Sequence, residues 1–134
     1  MKKTLLLIAA FAAAAAFAAF DVSFTRAIPV LTSATTINAG ATNTTEITAA
    51  GLKGNANLFI IANGNASRTA LNLSLYTTNF AAGGWSQFAT TTITATNAGI
   101  YRLAFPGQYI SLPSQVRIES VGAASAVSAF ILSY

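Results

Sequence analysis

The feature that most constrains the fold is a period of two. Between Thr69 and Tyr76, Leu71, Leu73 and Leu75 alternate with Asn72, Ser74 and Tyr76, which on an extended chain puts an aliphatic row on one side and a polar row on the other. A helix would put Leu73 on the side opposite Leu71 and Leu75, so this segment reads as a strand with one face toward a core. The same alternation predicts a strand over 100–105, with Tyr101, Leu103 and Phe105 inward and Arg102 outward. A further strand is expected over 115–121, with Val116 and Ile118 on one face and Arg117 and Glu119 on the other, the last two as a same-face ion pair. Residues 125–132 close the chain as another strand. Leu58 to Ala62 is apolar throughout, which predicts a central strand covered on both faces. Shorter strand candidates are 35–38, 44–49, 85–88, 91–95 and 109–112.

No stretch from Ala34 onward carries a helical period long enough to compete, and the apolar pieces are separated by Gly, Asn and Pro. Asn63-Gly64-Asn65 supplies residues that tolerate positive φ, Gly83-Gly84 does the same, and Pro106-Gly107 fits the centre of a type II turn. Hairpins are the expected result. Eight or so short strands without helices predict an all-β domain, a single antiparallel β-sandwich over residues 34–134 with jelly-roll or immunoglobulin-like connectivity. Residues 21–33, which include Ile28-Pro29, read as an extended arm leading into it.

Residues 1–20 form an apolar N-terminal segment. Lys2 and Lys3 precede an uncharged run from Leu5 to Phe20, and Ala16-Phe17-Ala18 is a small-x-small site ahead of Ala19. This is the grammar of a secretory signal, with residues 1–18 removed. The alternative is a retained Ala-rich helix, since Ala and Leu are strong helix formers. A stable membrane span ranks third, because the run is at the short end of the ~17–25 residues that cross a bilayer. In a retained segment, Phe11, Phe17, Phe20, Phe24 and Ile28 are the expected assembly contacts.

The chain has no histidine, no cysteine and only three carboxylates, Asp21, Glu46 and Glu119. Acid/base catalysis, metal ligation and activated nucleophiles draw on these residue types, so neither catalysis nor a metal or other cofactor is expected. Glu46 and Glu119 are the one carboxylate pair in the sandwich that a glycosidase mechanism could use. The formal charge of +4 is dispersed rather than clustered, which argues against nucleic acid as a partner. Only 7% of residues are charged while 54% are hydrophobic, so the surface is poorly protected against association and a homo-oligomer or a place in a larger lattice is expected. Trp85 and Tyr76 are candidates for an aromatic glycan platform, set against the reading of Trp85 as a core ring. Asn43, Asn65 and Asn72 each begin an Asn-x-Ser/Thr glycosylation pattern.

Several stretches are similar to small β-sandwich virion proteins of tailed phages. These are the "LTSATTINAGATNTTEI" of Leu31 to Ile47, the "FATTTITA" of Phe88 to Ala95 and the "GIYRLAFPGQY" of Gly99 to Tyr109. The likeness covers about residues 30 to 132. It implies a non-catalytic structural subunit that docks in a capsid or fibre lattice, such as a capsid decoration protein of the virion. The rival expectation is a secreted or surface-exposed fibre subunit or carbohydrate-binding module.

Overall fold

The computed structural model describes residues 26–47, 52, 54–79, 83–107 and 113–133. Within them lie β1 (Arg26–Ile37), β2 (Thr42–Ile47), β3 (Asn55–Ala62), β4 (Ala70–Asn79), β5 (Gly84–Ile93), β6 (Gly99–Pro106), β7 (Ser114–Val121) and β8 (Ser125–Ser133). Sheet A runs β1-β8-β3-β6 and sheet B runs β2-β7-β4-β5, with all strand pairs antiparallel. That order is a jelly roll, the first of the two connectivities expected.

The alternating rows build the core. From sheet B, Leu71, Leu73, Leu75, Val116 and Ile118 point inward, and from sheet A they meet Leu58, Ile60, Val127, Ala129, Ile131, Leu103 and Phe105. Burying an aliphatic side chain contributes about 1.5–3 kcal/mol, so this row-on-row contact holds the two sheets together. The strands expected from alternation at 69–76, 100–105, 115–121 and 125–132 correspond to β4, β6, β7 and β8. The candidates 85–88 and 91–95 are one strand, β5, and 35–38 is the end of β1. Residues 109–112 and 1–25 lie outside the described residues, and with them Phe11, Phe17, Phe20 and Phe24.

Four expectations change. From Arg26 onward the supposed arm is β1, paired with β8 from Arg26↔Ser133 to Ile37↔Ser125. Its Pro29 is tolerated because β1 is an edge strand with one side free of ladder bonds. Ile28 is therefore a core residue, 7% exposed, rather than an assembly contact. Secondly, only β4 and β5 are sequence neighbours that pair; every other consecutive pair lies in different sheets. The 63–69 connection thus crosses from sheet A to sheet B. No non-glycine described residue has positive φ, so Asn63 and Asn65 serve by side-chain hydrogen bonds instead.

Thirdly, Pro106-Gly107 is a close approach: Gly107 N donates to Gly54 O at 2.8 Å, and a Cβ there would lie 3.1 Å from Leu52 Cβ. Lastly, β3 is central in order but not covered on both sides. Leu58, Ile60 and Ala62 face the core, whereas Phe59 is half-buried and Ile61 is 43% exposed on the outer side. Its unbroken apolar run reflects an apolar outer face of sheet A.

Candidate functional site

The outer face of sheet B is a polar array fixed by register. Antiparallel partners point the same way, so three rows cross the four strands: Thr42-Glu119-Asn72-Thr92, Thr44-Arg117-Ser74-Thr90 and Glu46-Gln115-Tyr76-Gln87. All twelve positions are polar or carry a hydroxyl. On the central strands β4 and β7 these residues are the outward half of an alternation whose inward half is the core: Leu71, Leu73, Leu75, Val116 and Ile118.

The array is cross-linked along and between rows. Asn72 Nδ2 donates to Glu119 Oε2 at 2.8 Å, and Thr92 Oγ1 donates to Asn72 Oδ1 at 2.9 Å. Gln115 Nε2 donates to Glu46 Oε1 at 3.1 Å, while Gln115 Oε1 accepts from Arg117 Nε at 3.2 Å and from its terminal nitrogen at 2.9 Å. The Tyr76 hydroxyl donates to Gln87 Oε1 at 3.0 Å. Arg117 lies over the Tyr76 ring, 4.0 Å from its centroid. The expected Arg117–Glu119 pair gives way to these contacts: Glu119 takes an amide across the strand, and the guanidinium stacks on the aromatic face.

Thr42, Asn72, Ser74, Tyr76, Arg117 and Glu119 line a shallow groove of about 180 Å³. This is smaller than the ~300–1,000 Å³ of sites that engulf a small molecule, and its shape suits a ligand lying across the sheet. Side chains pinned by neighbours lose little entropy on binding, which favours recognition by a preformed surface.

Trp85 lies on this face. A bulge between Leu75 and Tyr76 pairs Leu75 with Ala89 and Tyr76 with Gln87, leaving Phe88 as the extra residue. Phe88 and Ala89 both pack on the core, Phe88 edge-on to Phe105 at 5.8 Å between ring centroids. Trp85, two residues before Gln87 and opposite Thr78, takes the outward side and is half-buried there. Its reading as a core ring is therefore corrected, because Phe88 fills the position the core requires. Trp85 sits one row beyond Tyr76, on the side away from Arg117. Register thus brings the two sequence-derived platform residues to one face. It also adds Arg117, Glu119, Gln115 and Gln87, whose placement depends on strand order.

Glu46 and Glu119 share the face but stand apart. Glu46 pairs with Gln115, four residues from Glu119 along β7, about 13 Å at the rise of a strand. Glycosidase carboxyl groups stand about 5–9.5 Å apart. Of the three glycosylation patterns, those at Asn65 and Asn72 have the amide nitrogen already donated, to Ala124 O and Glu119 Oε2. No helix of the described residues is long and apolar enough to cross a membrane.

No protein-family model matches the chain, and no curated protein matches it in sequence. Solved structures do share the fold. The chain is similar to the Yersinia pseudotuberculosis-derived mitogen at 16% identity and a TM-score of 0.50, covering 79% of this chain and 86% of that one. It is similar to the CBM22-1-GH10 modules of Clostridium thermocellum N-terminal endo-1,4-β-D-xylanase 10B, solved with xylohexaose, at 8% identity and 0.51, covering 86% of this chain and 27% of that one. The enzymatically active domain of bacteriophage CBA120 tailspike protein 4 matches at 14% identity and 0.51, over 79% of this chain and 15% of that one. The chain therefore spans only a small part of the latter two proteins. At these identities the likeness is one of fold, and the fold is an all-β sandwich.

Proposed function

We propose that the protein is a non-catalytic binding module that holds a neutral glycan across the outer face of sheet B. The observation that carries this reading is the array of hydroxyl, amide and carboxylate groups around Tyr76, stacked with Arg117 at 4.0 Å and flanked one row on by Trp85. Sugars offer apolar ring faces to aromatic side chains and hydroxyl edges to such planar amides. A neutral ligand is favoured because Glu46 and Glu119 outnumber Arg117 on the face, and the cation is already engaged. Catalysis is disfavoured by the wide carboxylate spacing and by the absence of histidine and cysteine from the sequence. One solved structure similar in fold holds modules complexed with xylohexaose, which makes a glycan-facing role reasonable for this architecture.

A second reading, a structural subunit of a virion such as a capsid decoration protein, draws on the apolar outer face of sheet A. The two are compatible in one adhesive subunit, either on a virion or exported to the cell surface. The test is affinity electrophoresis of the full chain through gels containing neutral and acidic polysaccharides. Retardation by at least one neutral polysaccharide is expected, with about tenfold weaker binding for Tyr76→Ala and Arg117→Ala. Retention by no neutral polysaccharide, or retention untouched by both substitutions, would overturn the proposal.

A further inference from the structure

Each sheet ends in two edge strands, β1 and β6 in sheet A, β2 and β5 in sheet B. An edge presents unpaired N–H and C=O groups, which proteins shield with charges, proline or bulges. Three of the four edges carry a charge or a proline: β1 has Arg26 and Pro29, β2 has Glu46, and β6 has Arg102 and Pro106. β5 has neither over its ten residues. Its bulge lies at Phe88, so residues 89–93 run in unbroken register with β4, from Leu75↔Ala89 to Leu71↔Ile93. That is about 17 Å of open strand, and among the described residues no strand pairs with its outer side.

The core is also less covered along this side of the sandwich. Where β1 lies over β2, the inward residues Ile28, Val30, Ile37 and Ile47 are at most 8% exposed. On β5, Phe88, Ala89 and Ile93 pack on the core yet are only half-buried, and so is Thr91, which pairs with Leu73. Leu71, Leu73 and Leu75 on the neighbouring β4 are fully buried.

We propose that residues 89–93 of β5 pair antiparallel with the same residues of a second copy of the chain, joining two B sheets into one of eight strands. Charge and symmetry select that occupant. A two-fold axis through an antiparallel pair sets a strand against itself, which on β2 or β6 would bring Glu46 or Arg102 toward its own image. β5 has no charge to repel. A register centred on Thr91 sets Thr90 opposite Thr92 of the partner subunit, and Thr–Thr pairs across strands are favourable. The two hydroxyls already bond inside the sheet, Thr90 Oγ1 donating to Leu73 O at 3.0 Å and Thr92 Oγ1 to Asn72 Oδ1 at 2.9 Å, so what the edge offers a partner is its backbone. The added strand would cover the half-buried inward residues of β5. About this axis the outer faces stay on the same side, so the dimer displays two polar arrays on one surface. The paired edge is short and the contact correspondingly weak, with dimers forming at ~1–100 μM.

The test is sedimentation equilibrium of the full chain, unaltered, as Thr90→Lys/Thr92→Lys, and as the control Thr42→Lys/Thr44→Lys, which puts the same two charges on the opposite edge of the same sheet. All four threonines are exposed, and far-UV circular dichroism checks that each variant keeps its sheets. The β5 variant sets lysine opposite lysine across the axis and is expected to weaken dimerisation by at least about tenfold, whereas the control leaves it unchanged. On the unaltered chain, amide hydrogen exchange at residues 89–93 should slow as concentration rises, and this measurement decides if a variant fails to fold. A chain that stays monomeric throughout that range would overturn the proposal. So would dimers weakened by both variants alike or by neither, or exchange at 89–93 that is independent of concentration, since each gives the association to another surface.

Discussion

Arg68 closes one end of the sandwich, and its replacement should be among the most damaging single changes. It is 1% exposed. One terminal nitrogen donates to Asn63 O at 2.9 Å and the other to Ala95 O at 2.8 Å, with Ser125 Oγ at 3.4 Å and Asn97 O at 3.5 Å. One planar fork thus ties the ends of β3 and β5 to the starts of β6 and β8. Hydrogen bonds from a charged donor contribute about 1.5–3 kcal/mol each, and a stranded buried carbonyl costs about 1–3 kcal/mol. Against this stands the cost of burying the guanidinium, whose Nε has no partner and which is held by carbonyls rather than by a carboxylate. Removing the ion recovers that cost. The balance for Arg68→Met is a loss of about 2–4 kcal/mol, or a melting temperature lower by about 10 °C for a domain of this size. Arg68→Lys should lose at least as much, because a single ammonium group cannot span both carbonyls while its charge stays buried. Urea unfolding followed through Trp85, the sole tryptophan, measures both. If either variant falls within about 1 kcal/mol of the parent, the fork does not hold the loops and the reasoning fails.

Gly122 has φ 87° in the β7–β8 turn, and a Cβ there would stand 2.9 Å from Ser67 O. Gly122→Ala should therefore lose about 1–3 kcal/mol in urea unfolding, and an unchanged midpoint would contradict the turn geometry. Leu73, fully buried at the centre of β4, should cost about 2–5 kcal/mol as Leu73→Ala, whereas Thr44→Ala on the exposed edge should stay within about 0.5 kcal/mol. Arg117→Ala should leave stability within about 1 kcal/mol, the size of an exposed cation–π contact, so weaker glycan retention by that variant would report recognition rather than unfolding. Glycan affinity should be unmoved by a roughly tenfold rise in ionic strength, because screening acts on charge pairs and a neutral ligand makes none. A steep fall would indicate an anionic ligand.

Alternation made the strands legible. Leu71, Leu73 and Leu75 define β4, Val116 and Ile118 define β7, and in each the intervening residues are the ones exposed to the groove. What alternation could not carry was adjacency. That Tyr76 has Gln115 on one side and Gln87 on the other follows from β4 lying between β7 and β5, a long-range choice that no local pattern encodes. Turn residues misled for the same reason. Asn63-Gly64-Asn65 is compatible with a hairpin, yet β3 and β4 lie in opposite sheets, so the segment crosses the end of the sandwich, where Arg68 donates to Asn63 O and Ala95 O. Trp85 was ambiguous because one bulge residue, Phe88, decides which ring the core takes.

The unbroken apolar run of β3 carries the remaining lesson. A strand buried on one side needs only alternate apolar residues, as β4 and β7 demonstrate, so Phe59 and Ile61 add nothing to the core between the sheets. Their cost in solubility is offset only where the outer face of sheet A is covered. The polar half of β4 is equally unnecessary to folding in its detail: any hydrophilic residues would keep that face wet, whereas Asn72, Tyr76, Gln115, Arg117 and Glu119 are held by one another in fixed rotamers. A chain with so few charges has thus departed from a generic surface in two opposite ways on two opposite faces. That division suits the proposed binding module, whose ligand would meet the organised display of hydrogen-bonding groups on sheet B rather than the apolar outer face of sheet A.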